Sequence, residues 1–202
     1  QGVSRVGDGR LRKLLLSHLP YKLTSSQEQA CREIMADLAE PLQMLRLLQG
    51  DVGSGKTLVG LMAALAVIEA GYQAALMVPT EILARQHYEK LSEICKGLPI
   101  RIALLTGREK GKTRETLLAN LRDGGIHLLI GTHALFQQDV EFFNLGLSVI
   151  DEQHRFGVHQ RLEMRRKGVG VDMLVMTATP IPRTLLLTAY GDMAVSKLTE
   201  KP

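Results

Sequence analysis

The stretch Gly50-x-x-x-x-Gly55-Lys56-Thr57 brings together the residue types that hold a polyphosphate. Gly50, Gly53 and Gly55 allow φ > 0 and let backbone N–H groups approach phosphate oxygens. Lys56 supplies charge for the β and γ oxygens, and Thr57 supplies a hydroxyl for Mg2+. The dipole of a helix starting here favours the anion. Asp51, Val52 and Ser54 complete the loop. A second chemical signal is Asp151-Glu152-Gln153-His154, two acids at the mouth of an apolar strand. Acids are costly there without a cation or a reaction to serve. Beside a phosphate loop, Asp151 is the expected holder of Mg2+. Glu152 is the expected base, orienting and deprotonating the water that attacks a γ-phosphate. His154 reads either as a contact on the γ-phosphate side or as a satisfied polar residue of the loop.

Other positions read in two ways. Thr177-Ala178-Thr179-Pro180 ends the next strand, and its hydroxyls could bond the Asp151/Glu152 loop and register a γ-phosphate. Gln27 is by default a capping-box residue, yet its amide also matches the adenine edge; one amide cannot fully serve both partners. Pro79-Thr80-Glu81, Thr106-Gly107 and Gly131-Thr132-His133 each set a Thr or Gly just before a possible helix start. Simple N-capping accounts for any one of them. Three along one edge, beside a nucleotide motif, favour a grip on the phosphates of a nucleic-acid strand.

These residues need a frame that brings them to one edge, and the hydrophobic pattern supplies it. Apolar runs predict strands at 44–49, 73–78, 100–105, 126–130, 145–150 and 172–176. Helices are predicted at 56–70, 81–96, 112–122, 159–167 and 181–190, the first apolar on almost every side from Leu58 to Ile68. Apolar strands alternating with helices specify an α/β fold, a mostly parallel β-sheet with helices on both faces. In such a sheet ligands bind where the strand C-termini open. Upstream, residues 1–23 read as a connecting segment with a short amphipathic helix around Leu11 to Leu16, broken by Pro20. Thr24 with Gln27 and Ser25 with Glu28 offer two overlapping capping boxes for a helix that buries Ala30, Ile34 and Leu38. The main unit is expected over 24–195, and 196–202 reads as the start of a linker.

The 202 residues suffice for one domain with a real core. The longest apolar stretch is about half of the ~20 residues a membrane span needs. The N-terminus carries Arg5, Arg10, Arg12 and Lys13 without the uninterrupted apolar region of a signal peptide. A start at Gln1 and an end at Lys201-Pro202 read as an excised fragment, although a processed chain would look the same. Cys31 and Cys95 share helical spacing with apolar neighbours and read as buried reduced thiols, and nothing has zinc spacing. A net charge of +4 is compatible with a nucleic-acid partner but is weak evidence alone.

The ordered set Leu23-Thr24-Ser25-Ser26-Gln27, Gly50 to Thr57, Val78-Pro79-Thr80-Glu81, Leu105-Thr106-Gly107, Gly131-Thr132-His133, Asp151 to His154 and Thr177 to Pro180 resembles superfamily 2 helicases and translocases. The longer strings from Arg46, from Asp151 to Val158 and from Ala178 to Thr184 are similar to the RecG family of bacterial branched-DNA helicases. Transcription-repair coupling translocases are the near relatives, but Gln153-His154 fits them less well. Tyr21 departs from the Phe that the family often carries. The resemblance, which runs from about Leu19 onward, implies a RecA-like ATP-binding lobe of a cytoplasmic DNA helicase that uses ATP and Mg2+ to remodel stalled forks and Holliday junctions.

By the same resemblance, Lys56, Asp151 and Glu152 are catalytic and Thr57 and Asp151 hold the metal. Gln27 reads adenine. Pro79, Thr80, Arg85, Thr106, Gly107, Gly131, Thr132, Arg155 and Arg161 line the DNA track, and His154, Thr177 and Thr179 couple it to the nucleotide. A second RecA-like lobe with an arginine finger and an N-terminal wedge domain are the implied partners within a longer parent chain. Without that finger, worth about 10³ to 10⁵ in rate in related phosphoryl transfers, the isolated lobe is expected to turn ATP over very slowly. Two readings stand against this one: a nucleotide switch that never moves a nucleic acid, and an RNA-directed helicase, since nothing here reads a 2′-OH.

Overall fold

Strand β1, Leu45–Gly50, lies near one side of a seven-stranded sheet, and the order across that sheet decides what each strand end can meet. The computed structural model describes residues 5–51, 53–151, 171–178 and 194–200. The remaining strands are β2 (Gln73–Met77), β3 (Ile102–Leu105), β4 (Leu128–Gly131), β5 (Leu145–Asp151), β6 (Asp172–Thr177) and β7 (Ala194–Leu198). They run in the order β3-β4-β2-β5-β6-β1-β7, and every neighbouring pair is parallel. The helices are α1 (Arg10–His18), α2 (Ser25–Ala39), α3 (Lys56–Glu69), α4 (Glu81–Ile94) and α5 (Gly111–Arg122), with a 3-10 turn at His133–Phe136. The predicted helices at 159–167 and 181–190 lie outside the described residues.

Burial follows from parallel pairing. The inner strands β2, β4, β5 and β6 are buried at every position, as strands covered on both faces must be. Ala74 and Leu76 join the core that contains α1 to α4, while Ala75 and Met77 join the one beneath α5. Helix α3 sits deepest, with every residue from Leu58 to Ile68 buried. Cys31 and Cys95 are free thiols that burial pushes up to about 11, so they pack as inert apolar side chains. No helix among the described residues is long and apolar enough to cross a membrane.

Three boundaries differ from the sequence reading for identifiable reasons. Residues 194–198 form an edge strand, so Ser196 to Leu198 belong to the sheet and are not a linker. Their alternation is short and partly polar: Ser196 and Leu198 are buried while Lys197 is exposed. Ser196 also accepts from Arg46 Nη1 at 2.9 Å, and Arg46 Nε reaches Asp37 at 2.8 Å. At the other edge β3 and β4 each begin two residues later than predicted, because the Arg101 N–H is taken by His127 Nδ1 at 2.9 Å. Of the two capping boxes only Thr24 with Gln27 forms; the Ser25 hydroxyl bonds Glu200 instead.

The N-terminal segment is held to the sheet domain by buried charge. Helix α1 has no side-chain N-cap of its own. The carboxylate of Glu69, at the C-terminal end of α3, replaces it by accepting from the backbone N–H of Gly9 and of Arg12. Glu69 also takes the Arg12 guanidinium at 3.0 Å, with its own side chain 0% exposed. Leu11 and Leu15 seal the contact. Replacing Glu69 with Ala strands those donors in a part-buried position. We expect Glu69→Ala to lower unfolding free energy by about 3 kcal/mol. Denaturant unfolding measures this, and hydrogen exchange should show α1 amides losing protection before those of α3.

Candidate nucleotide and nucleic-acid site

The loop after β1 is built from two different uses of glycine. Gly53 and Gly55 adopt φ +84° and +86°, which L side chains rarely tolerate. Gly50 does not; the expectation of φ > 0 there is corrected. A Cβ on Gly50 would lie 2.5 Å from Ser54 Oγ and 2.9 Å from Leu198 Cβ, so the residue is small because the backbone passes too close for anything else. The loop folds back as the Ser54 N–H bonds the Asp51 carbonyl at 3.0 Å. Ser54 Oγ is buried and has no hydrogen-bond partner among the described residues. Val52 lies outside the described residues.

Lys56 opens α3 and points its ammonium back into the loop, donating to the carbonyls of Gly50 at 2.5 Å and Asp51 at 3.1 Å. Burial lowers its pKa, while the charges of Asp151 and Asp51 act against that shift. Lys56, Thr57 and Asp151 line one cleft of about 570 Å³, a volume suited to a nucleotide. Tyr21 and Gln27 line it too. Gln27 is 0% exposed and both ends of its amide are used: Oε1 accepts from the Thr24 N–H at 2.9 Å, and Nε2 donates to the Gly55 carbonyl at 3.3 Å. The capping role and a contact with the loop thus hold together, and adenine would have to compete for the Gly55 bond.

The opposite wall is α4, which the sequence reading left out of the nucleotide site. Leu83, Gln86, His87 and Lys90 face the cleft. His87 Nε2 lies 3.3 Å from Asp151 Oδ2, with side chains 13% and 9% exposed. The available signal was helical arithmetic, since His87 lies seven residues, about two turns, beyond Thr80 and so on the same face.

Strand order spreads the other candidates along the same edge. Thr106, Thr132 and Thr80 follow β3, β4 and β2, side by side; Asp151 ends β5, Thr177 ends β6 and Gly50 ends β1. Thr80 caps α4 by accepting from the Leu83 N–H at 3.2 Å. Thr106 is fully buried and both its N–H and its hydroxyl donate to Glu109 Oε2 at 2.7 Å. Arg85 Nη2 reaches the other Glu109 oxygen at 3.3 Å. Burial opposes ionisation of Glu109, but the Thr106 hydroxyl and amide and the Arg85 charge outweigh it and lower its pKa. Thr132 is 2% exposed, and a Cβ on Gly131 would meet the Leu105 carbonyl at 2.2 Å. Thr106 and Thr132 therefore shape the strand ends, leaving Thr80 and Gly107 at the surface beside them. Glu152, His154, Arg155, Arg161 and Thr179 lie outside the described residues.

A family model described as DEAD/DEAH box helicase matches residues 24–187. The chain is 52% identical to the ATP-dependent DNA helicase RecG of Aquifex aeolicus (strain VF5), over 96% of this chain and 25% of that one. It is likewise 52% identical to RecG of Bacillus subtilis (strain 168), over 100% of this chain and 30% of that one. A solved structure of RecG bound to a three-way DNA junction superimposes with a TM-score of 0.87 at 46% identity, covering 100% of this chain and 27% of that one. The chain thus spans between a quarter and a third of the length of these relatives.

The two kinds of glycine make different predictions. Gly50→Ala should cost about 2 kcal/mol through overpacking against Ser54 and Leu198. Because the loop must move to admit the methyl group, nucleotide affinity should fall about ten-fold or more, a loss of about 1.4 kcal/mol. Gly53→Ala meets nothing within 4 Å, and should cost only the ~1 kcal/mol of a left-handed non-glycine residue. Thermal unfolding with and without nucleotide separates the two; equal effects would refute the close-approach account of Gly50.

Proposed function

Because the chain belongs to the DEAD/DEAH box helicase family, we propose that it is the RecA-like ATP-binding lobe of a DNA helicase or translocase acting on branched DNA. The observation that carries this reading is the order of strand ends on one sheet edge. Asp151, Thr177 and the Gly50 loop occupy the β5-β6-β1 half, and Thr80 and Gly107, exposed beyond β2 and β3, occupy the β3-β4-β2 half. A switch module needs the first half alone. The relatives named ATP-dependent DNA helicase RecG, and the RecG structure bound to a three-way junction, support branched duplex DNA as the substrate of the parent protein.

The residues present fit a nucleotide with Mg2+. Lys56 would trade its Gly50 and Asp51 carbonyls for β/γ oxygens, and Ser54 Oγ is a spare polar group within the loop. Thr57 and Asp151 would hold the cation, which supplies charge neutralisation between the phosphates. Tyr21 packs and Gln27 reads on the adenine side. Glu152, next after Asp151, would take the proton of the attacking water, and His154, Thr177 and Thr179 would link hydrolysis to the track. Along that track Thr80 and Gly107 would present hydroxyl and backbone donors to phosphates, with Pro79 and Gly131 shaping the strand ends beside them. Arg85, Arg155 and Arg161 would add charge. A second lobe of the parent would supply the arginine finger, and a wedge domain would engage the junction. A cytoplasmic site of action follows from that substrate.

ATP hydrolysis by the parent protein, with and without forked DNA at two salt concentrations, tests the reading. Fork-stimulated turnover that weakens as salt rises is expected. A rate indifferent to forks would refute remodelling, and equal stimulation by single-stranded RNA would move the substrate to RNA. Glu152→Gln should cut turnover by about 10² or more while nucleotide binding survives; lost binding would make Glu152 structural.

A further inference from the structure

His87 belongs to neither the phosphate loop nor the acidic strand end, yet it lies against the side chain expected to hold the cation. Its Nε2 is 3.3 Å from Asp151 Oδ2. A carboxylate oxygen only accepts, so Nε2 carries the proton in this bond. Such a donor fixes one oxygen of a carboxylate and restricts the rotation that would otherwise have to be frozen when a cation arrives. The helix that carries His87 starts at the other site. Thr80 caps α4 at the mouth of β2. Two ion pairs tie its first turns to the loop after β3, Glu81 with Arg108 and Arg85 with Glu109, both at 3.3 Å. Glu109 in turn grips Thr106. Thr80 and His87 are about two helical turns apart, roughly 10 Å along the axis. One stiff element therefore touches the track at its start and the Asp151 carboxylate near its middle.

We propose that His87 is a positioning residue that sets the Asp151 carboxylate for the divalent cation, and that α4 uses this bond to pass a displacement at the track to the nucleotide cleft. The proposal rests on the functional reading above and deepens it. At 3.3 Å the bond is near the long end of the useful range, so a shift of α4 by about half an ångström breaks or tightens it. Bringing phosphates to Thr80 and Arg85 competes with the Glu109 ion pair, and releases or pulls the first turns of α4. His87 carries that movement to Asp151. A merely structural His87 would do less: it would satisfy a buried carboxylate, and its loss would lower stability alone.

The test compares wild-type parent protein with His87→Ala and His87→Gln, whose amide nitrogen reaches about as far as Nε2. Binding of a fluorescent ADP analogue is titrated with Mg2+ and repeated in excess EDTA. His87→Ala should raise the Mg2+ midpoint about ten-fold, leave binding in EDTA unchanged, and reduce the ratio of DNA-stimulated to basal ATP hydrolysis; His87→Gln should recover most of both. An unchanged Mg2+ midpoint in His87→Ala, or a His87→Gln as impaired as Ala, overturns the positioning role. A shifted midpoint with an undiminished stimulation ratio overturns the transmission through α4. Wild-type protein that binds Mg2+-nucleotide but ignores DNA refutes the functional reading, while the Mg2+ midpoint still judges the His87 bond. Should His87→Ala fail to fold, His87→Asn replaces it, since its shorter amide stops short of Oδ2.

Discussion

Where β1 hands over to α3, the backbone of Gly50 lies against Ser54 and Leu198 with no room for a side chain, and the rest of the site is arranged around that contact. The strand cannot continue straight and the loop cannot swell. The chain must turn through the Ser54-to-Asp51 hydrogen bond and enter α3 by the left-handed step at Gly55. Parallel neighbours on both sides, β6 and β7, hold β1 in register as far as Gln49 and Gly50. The loop therefore starts from a fixed frame. Ordering backbone at the moment of binding costs about 1–2 kcal/mol per residue, and a loop already folded avoids most of it. Strand β7 thus contributes beyond its short length, because Leu198 is one of the two walls that define the turn.

Parallel pairing imposes the second condition. Every strand delivers its last residue to the same edge, so function depends on which strands are neighbours and hardly on their spacing in sequence. Strand β5 lies centrally, between β2 and β6, and it carries Asp151. Thr80 follows one neighbour and Thr177 ends the other. The acidic residue is therefore adjacent to both halves of the edge, and α4, which crosses from the mouth of β2 to the cleft, can touch both. A sheet with β5 at its margin would keep the phosphate loop and lose this adjacency.

Much of this was legible in the sequence because the informative signals are local. The glycine spacing, the apolar helix behind it and the Thr24-to-Gln27 capping box are decided by residues within a few positions of each other, and all three are present. The parallel sheet was legible because strands buried on both faces must be apolar throughout. Contacts between distant segments were not. The smallness required at Gly50 depends on Leu198, about 150 positions on; the trans cap of α1 depends on Glu69; and His87 meets Asp151 only through the strand order. Strand β7 was missed for a related reason. An edge strand with Lys197 exposed and Ser196 satisfied by Arg46 lacks the apolar run that marks an inner strand.

The charges in the cleft explain why its parts act as a set. Lys56 is partly withdrawn from water, which works against its charge, and Asp151 and Asp51 restore part of that loss. The same Asp151 would repel an incoming polyphosphate: at ~4 Å and an effective dielectric of ~20, two unit charges interact by about 4 kcal/mol. Lys56 alone cannot offset both the phosphate charge and the acid. A divalent cation beside Asp151 turns that repulsion into attraction, provided the carboxylate is presented to it and not to Lys56. His87 is the neighbour that bonds Asp151 from the side of α4. On the proposed role of His87, whatever moves α4 would alter how Asp151 divides its charge between the lysine and the cation, and affinity for the metal-bound nucleotide would depend on a helix that begins at the far half of the edge.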